Sequence, residues 1–124
     1  MNMELAIGRI KAYINEYIAE CNNEEISTLC GHLQYGKMLR SKLLLSISGM
    51  SEEALRVCTF IEMIQSASLL HDDVIDNAQT RRGAPSINAT FGNKNAIMLG
   101  DVLYSKAFCE LSAFHTEIAQ SISS

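Results

Sequence analysis

The sequence predicts an all-α protein. Apolar residues near the N-terminus recur mostly three and four positions apart, as they do on one face of a helix: Leu5, Ile7, Ile10, Ile14 and Ile18. Residues 52–75 contain neither glycine nor proline and follow Ser51, which is a suitable residue to cap a long helix. The whole chain of 124 residues has one proline and seven glycines, a composition that agrees with a helical protein.

The boundaries of the helices follow from capping residues and glycines. Five helices are predicted: residues 5–18, a short helix from Asn22-Asn23 to Cys30-Gly31, Met38–Ile47, Glu52–Ile75, and Asn93 to beyond Ile118. Residues 77–85 are polar and rich in turn-forming residues, so we expect a loop there. The chain shows no repeat or linker, so residues 1–124 are expected to form one helical domain or part of one.

Composition and charge exclude several classes of protein. The net charge of −4 argues against a nucleic-acid-binding surface. No stretch reaches the roughly 18 apolar residues that a membrane helix requires. Residues 1–13 lack a basic region followed by an apolar run, so no secretory signal is evident and a cytoplasmic location is expected.

Three acids at the end of the long predicted helix are the strongest functional signal. Asp72 and Asp76 are four positions apart, which places them on one helical face, and Asp73 lies beside them. Acids at a helix C-terminus oppose the helix dipole, and they follow a mostly apolar segment. Such a placement is unfavourable for stability alone. It suits Mg²⁺, which binds carboxylate oxygens and links them to substrate phosphates.

Two arginines follow the acids after a short interval. Arg81 and Arg82 carry planar, permanently charged guanidinium groups that match phosphate oxygens. Taken singly, an acidic helix face or an arginine pair is more often solvated surface. Acids, metal and arginines together predict a diphosphate-binding site.

The acids and arginines belong to an ordered series of short motifs. These are Gly36-Lys37-x-Leu39-Arg40, Glu62-x-x-Gln65-x-Ala67-Ser68-Leu69-x-His71-Asp72-Asp73-x-x-Asp76, Arg81-Arg82-Gly83-x-Pro85-Ser86, Phe91-Gly92 and Gly100-Asp101. In order and spacing, the series resembles the first half of a trans-type isoprenyl diphosphate synthase, and especially the long-chain polyprenyl members. The resemblance implies an antiparallel helical bundle of the isoprenoid synthase type, here truncated to its N-terminal helices.

The resemblance also implies a role for each matching residue. Asp72 and Asp76, supported by Asp73, would ligate the Mg²⁺ ions that hold an allylic diphosphate, which Arg81 would also contact. The diphosphate of isopentenyl diphosphate would be held by a second set: Lys37, Arg40, Arg82 and Gln65. Metals and arginines would draw charge onto the departing diphosphate, so that the double bond of isopentenyl diphosphate attacks the allylic cation and a proton is lost.

The resemblance also implies the length of the product, through the residues one turn before the acids. Ala67 and Ser68 are small, and in the family small residues there leave a deep slot open for a long all-trans polyprenyl product. An alternative is that these two residues only allow close helix packing. A long product would also bring the protein to membranes, although the chain itself is not expected to span one.

Several features depart from the family pattern. Tyr35, Met38 and Ser41 replace a usual glycine, basic residue and proline. Family members are more than twice as long and carry a second aspartate-rich motif, whereas no aspartate follows Asp101 here. We therefore expect an N-terminal fragment, an engineered truncation or a natural short product, inactive on its own.

The last predicted helix indicates that the protein self-associates, and two alternative functions remain open. That helix carries apolar residues over more than one narrow stripe, and in the family it lies in the dimer interface, so a homodimer or higher oligomer is expected. One alternative is a non-catalytic partner subunit of a prenyl synthase. Another is a metal-dependent phosphohydrolase that uses His71-Asp72 with His32 and Asp101.

Overall fold

Helices account for nearly all of the regular structure. The computed structural model describes the backbone of residues 1–123 and the side chains of residues 1–117 and of Gln120. The elements are α1 (Met3–Ala19), α2 (Glu24–Cys30), α3 (Leu39–Ser48), α4 (Glu52–Ile75), β1 (Thr80–Arg81), β2 (Ala84–Pro85), α5 (Ile87–Phe91) and α6 (Asn93–Ser123). The prediction of an all-α fold is confirmed.

The starts of the helices follow the predicted capping residues. The side chain of Asn23 accepts a hydrogen bond from the backbone N–H of Ile26 at 3.1 Å, and Ser51 accepts one from Ala54 at 3.1 Å. α4 has the predicted bounds, and α6 begins at Asn93 as predicted. The predicted turn-rich loop over residues 77–85 contains a short ribbon, β1–β2, which was not predicted, and neither was α5.

The central element is α4, which packs against α1, α3, α5 and α6 and makes its most extensive contact with α6. The core between these helices is apolar and closed to solvent. Its fully buried side chains include Ile10, Ile14, Leu55, Cys58, Met63, Ala67, Leu99 and Leu103. Because α4 contacts every layer of the core, its C-terminal end is held in a fixed position.

Some apolar surface stays open. Leu39, Leu43 and Ile47 form a stripe along α3, and each is more than 60% exposed. On α6, Leu99, Leu103, Ala107 and Phe114 are buried, whereas Ile97 and Phe108 are exposed. The side chain of Ile118 lies outside the described residues. Self-association through α6 therefore stays a prediction. No helix within residues 1–123 is both long enough and apolar enough to cross a membrane.

The end of α4 is joined to α6 where a histidine packs on a glycine. Nε2 of His71 lies 3.3 Å from the carbonyl oxygen of Ile97 and 3.3 Å from Oδ1 of Asp101. A Cβ atom on Gly100 would lie 2.4 Å from Nε2 of His71, so only glycine allows this approach. The ring of Tyr104 lies on another side of the imidazole, 5.6 Å away between ring centroids.

We predict that Gly100→Ala destabilises the protein. The added methyl group would displace the His71 ring, and overpacking of this kind costs about 1–3 kcal/mol. The matched control is Gly8→Ala in the middle of α1, where a Cβ meets nothing within 4 Å. That substitution should stabilise the helix by about 0.5–1 kcal/mol. Urea denaturation followed by circular dichroism measures both, and equal effects would contradict the packing argument.

Candidate functional site

The acids and the first arginine are linked by a two-pronged ion pair. Arg81 donates from Nε to Oδ2 of Asp73 at 2.8 Å and from Nη2 to Oδ1 at 2.6 Å. The Asp73 side chain is 9% exposed, and that of Arg81 is 29% exposed. The hydrogen bonds to Asp73 raise the pKa of Arg81. Two of the five guanidinium N–H groups are used here, so three remain for another anion.

The ribbon that carries both arginines has a tight, well-anchored geometry. β1 and β2 are antiparallel and pair Arg81 with Ala84, so that Arg82 and Gly83 form a two-residue turn. Both turn residues have positive φ, 52° and 81°, as a type I′ hairpin requires. At the base of the ribbon, Ser86 Oγ and Asn88 Nδ2 donate to the carbonyl oxygen of Ala78 at 2.7 and 2.8 Å.

The second arginine points to a different place from the first. Its guanidinium group lies against Gly36, where a Cβ atom would come within 2.4 Å of Cζ of Arg82. Gly36 has a φ of 62° and belongs to the loop between α2 and α3. The absence of a side chain at Gly36 therefore allows the loop and the ribbon turn to meet.

A cleft of about 500 Å³ opens where these two segments meet α4. All four residues that were predicted to hold the second diphosphate line it: Lys37, Arg40, Gln65 and Arg82. They come from the α2–α3 loop, α3, α4 and the ribbon turn. Apolar and aromatic side chains cover other parts of the wall: Tyr35, Met38, Leu39 and Leu69. The cleft thus combines cationic groups with an apolar surface.

Asp72 and Asp76 lie outside that cleft, at the end of α4. Both are exposed, and Asp76 is the C-cap residue whose backbone N–H donates to the Asp72 carbonyl oxygen. Neither forms an ion pair with any side chain that the structure describes. Among the residues that the structure describes, no three histidine, cysteine or acidic side chains lie close enough together to form a complete metal site. Two free carboxylates fit Mg²⁺, which takes its remaining ligands from water and phosphate.

The two small residues before the acids have different surroundings. Ala67 is fully buried within the core, which agrees with the packing explanation of its small size. Ser68 is partly buried, and its hydroxyl lies 2.6 Å from the hydroxyl of Tyr104 on α6. Tyr104 in turn stacks on Phe108, with the ring centroids 6.3 Å apart. A role of Ala67 and Ser68 in product length stays a prediction.

Comparison with known proteins identifies the relationship. A sequence model of polyprenyl synthetases matches residues 23–124. The chain belongs to the polyprenyl synthetase family. The crystal structure of octaprenyl pyrophosphate synthase from Helicobacter pylori matches with a TM-score of 0.85 and 49% identity, covering 98% of this chain and 42% of that one. The fold is therefore that of the isoprenoid synthases, as the resemblance implied.

Curated members of the polyprenyl synthetase family match shorter or less similar stretches. Mitochondrial hexaprenyl pyrophosphate synthase from Saccharomyces cerevisiae is 53% identical over 60 residues, 48% of this chain and 13% of that protein. A short chain isoprenyl diphosphate synthase from Methanothermobacter thermautotrophicus is 38% identical over 101 residues, 77% of this chain and 31% of that protein. The chain spans at most about a third of these two relatives.

The phosphohydrolase alternative is not supported by the structure. His71 contacts Asp101, but His32 instead places Nδ1 2.9 Å from the carbonyl oxygen of Thr28. Within the described residues, these side chains therefore do not assemble into one metal site. His71 serves to join α4 to α6 in this member of the polyprenyl synthetase family.

One cleft residue was missed as a functional candidate. Glu62 lines the cleft with Arg40 and Gln65, and its side chain is almost wholly buried. Burial raises the pKa of Glu62, while Ser41 and Arg40 lower it in part. The sequence does carry a signal, because Glu62 is the single charge between Phe60 and Leu70.

We predict that Asp73→Asn destabilises the fold, since the Arg81 guanidinium then loses its charged partner in a partly buried position. Loss of a charge-assisted pair of this kind costs about 2 kcal/mol. The matched control is Asp72→Asn, next in sequence but exposed, which should change stability by less than about 0.5 kcal/mol. Urea midpoints of both variants test this. A similar loss for the two would contradict a specific role of the Asp73–Arg81 pair.

Proposed function

We propose that this chain provides the metal- and diphosphate-binding half of a polyprenyl diphosphate synthase. The enzyme would condense an allylic diphosphate with isopentenyl diphosphate and build a long all-trans polyprenyl chain. One observation carries the proposal: Lys37, Arg40, Gln65 and Arg82 come from four different segments, yet they line a single cleft. A scaffold without ligands would have no need of that grouping.

The cleft suits isopentenyl diphosphate in both of its chemical parts. Lys37, Arg40 and Arg82 supply positive charge for the diphosphate, and Gln65 adds an amide hydrogen-bond donor. Leu69 and Met38 supply apolar wall for the five-carbon group. No carboxylate pair is required on this side, so a diphosphate could bind here without a metal.

The C-terminal end of α4 suits the allylic diphosphate. Asp72 and Asp76 would hold Mg²⁺, and the three unused N–H groups of Arg81 could donate to the same diphosphate. Bound Mg²⁺ supplies positive charge that neutralises the departing diphosphate. Because Asp73 already holds Arg81 in place, that guanidinium needs no reorganisation when charge develops on the leaving group.

The bond changes follow from this arrangement. The C–O bond of the allylic diphosphate would break, and its electron pair would leave with the diphosphate toward Arg81. The double bond of isopentenyl diphosphate, fixed by the cleft residues, would attack the allylic carbon, and loss of a proton would restore a double bond. The chain contributes charge stabilisation and positioning to these steps. We propose that it does not complete them alone.

A long product is supported by the names of several relatives. Besides the hexaprenyl enzyme, an octaprenyl diphosphate synthase from Haemophilus influenzae is 52% identical over 50 residues, 40% of this chain and 15% of that protein. Ala67 and Ser68 would then leave the slot open, and Tyr104 would form part of its wall. We also propose a homodimer or higher oligomer. The cytoplasmic location stays a prediction, since relatives include mitochondrial enzymes.

A second candidate is a partner subunit that binds substrate without completing catalysis. It is favoured by a relative from Schizosaccharomyces pombe that is named as subunit 1 of decaprenyl-diphosphate synthase and is 53% identical over 53 residues, 43% of this chain and 14% of that protein. Both candidates require the cleft. They differ in whether a completed enzyme loses turnover when Asp72 is replaced.

We predict that Gly36→Ala weakens diphosphate binding. The new methyl group would push the Arg82 guanidinium out of its place in the cleft, and loss of one charged contact should reduce affinity about tenfold or more. The matched control is Gly49→Ala, which has a similar positive φ of 84° but meets nothing within 4 Å. Isothermal titration with inorganic diphosphate, without divalent metal, compares them. Equal affinities would argue against Arg82 as a ligand.

We predict that Mg²⁺ binds to Asp72 and Asp76 only together with diphosphate, because two carboxylates alone give Mg²⁺ too few ligands. Calorimetric titration of Mg²⁺ should show heat with protein and diphosphate present beyond that of Mg²⁺ binding to diphosphate alone, and little heat without diphosphate. Asp76→Ala should remove that heat, whereas Glu53→Ala, which removes an exposed acid at the other end of α4, should keep it. Unchanged heat in Asp76→Ala would refute the metal assignment.

A further inference from the structure

An acid lies within the wall of the cationic cleft. Glu62 is on α4 one turn before Gln65 and is only 6% exposed, while the other charged side chains of the cleft are positive: Lys37, Arg40 and Arg82. Among the residues that the structure describes, the Glu62 carboxylate makes no ion pair within 4.0 Å. Its negative charge therefore lies in the wall of the cleft, where Ser41 and Arg40 are the groups that act on it.

The surroundings of Glu62 oppose its ionisation. Burial raises its pKa, and Ser41 and Arg40 offset that effect in part. The Ser41 hydroxyl is itself fully buried and has no hydrogen-bond partner in good geometry, so it is free to turn toward the carboxylate. Ser41 stands where the family usually has proline, which offers no such hydroxyl.

The other ionisable groups around Glu62 keep one charge state near neutral pH. Tyr35 on the α2–α3 loop and Cys58 on α4 both have pKa values raised by burial, so both stay uncharged. Arg40 faces Glu62 from α3, and Lys37 and Arg82 lie across the cleft as cations. Of these groups, Glu62 is therefore the one that gains a proton as the pH falls below neutral.

We propose that Glu62 regulates the affinity of the cleft for diphosphate, an inference that rests on the proposed function. As a carboxylate, Glu62 offsets one of the three cleft cations and weakens the binding of an anion. As a carboxylic acid, it leaves all three positive charges effective. Binding of a diphosphate in turn favours the protonated form, so that the cleft takes up a proton with its ligand and returns it on release.

The sign of the pH dependence follows directly. Above the pKa of Glu62 its charge repels the diphosphate, and below it the repulsion disappears, so affinity rises as pH falls. A unit charge within several ångströms of a multiply charged anion in a partly wet cleft changes affinity by about tenfold. Glu62→Gln fixes the uncharged state with almost the same shape and should bind tightly at every pH.

The test is isothermal titration of the 124-residue chain with inorganic diphosphate, without divalent metal, between pH 5 and pH 8.5. Diphosphate itself titrates over this range, so the readout is the ratio of the dissociation constants of wild type and Glu62→Gln. We expect a ratio of about ten at pH 8.5 that falls toward one as the pH is lowered. Glu53→Gln, which removes an exposed acid of α4, should give a ratio of one throughout.

A second variant keeps the test independent of the folding of Glu62→Gln. Ser41→Ala removes the hydroxyl that assists the carboxylate, so the rise in affinity should occur at higher pH than in wild type. A ratio of one at all pH values, or tighter binding by wild type, overturns the role of Glu62 while leaving the cleft intact. Absence of diphosphate binding by every variant overturns the proposed function itself.

Discussion

The ion pair between Arg81 and Asp73 determines the geometry of the whole candidate site. It joins the β1–β2 ribbon to the end of α4 through two parallel hydrogen bonds of 2.6 and 2.8 Å. With Arg81 fixed, the two-residue turn must carry Arg82 away toward Gly36 and the cleft. Since Asp73 is used in this pair, Asp72 and Asp76 are the acids left for the proposed metal. A single contact thus divides three acids and two arginines into two chemically different groups.

These two groups would bind diphosphate in different ways. On the acid side, the protein offers two carboxylates and needs a divalent cation between itself and the ligand. On the cleft side, it offers cations directly, and charge repulsion from Glu62 would limit the affinity. A reaction that brings two diphosphates together requires such a division, because two polyanions placed in one uniform cationic pocket would not be distinguished from each other.

Local sequence signals predicted the helices well and the site contacts less well. Ser51 and Asn23 cap the helices as predicted, because a cap depends only on residues a few positions apart. The ribbon was missed because strands of two residues have no periodicity to detect. The pairing of Arg81 with Asp73 rather than with its neighbours depends on burial, which the sequence does not show. The grouping of Lys37, Arg40, Gln65 and Arg82 was expected only from the family resemblance, since these residues come from four different segments.

Glu62 and Ala67 both show that the sequence reveals the type of a residue but not its surroundings. Glu62 was visible as a charge within an apolar stretch, but its place in the cleft wall depends on how α3 packs against α4. Ala67 was expected either to open a slot or to allow close helix packing; the structure shows it fully buried, and its role in product length stays a prediction. In both cases the residue type was informative, and the neighbouring helix decided what it contacts.

The most direct test of this account is a crystal structure of the chain with Mg²⁺, isopentenyl diphosphate and a non-hydrolysable allylic diphosphate analogue. We predict one diphosphate in the cleft within hydrogen-bond distance of Lys37, Arg40 and Arg82, without metal. The other should contact Mg²⁺ on Asp72 and Asp76, with the Arg81–Asp73 pair intact. An empty cleft beside a metal-bound diphosphate, or a diphosphate that displaces Asp73 from Arg81, would contradict the division of the site that this structure implies.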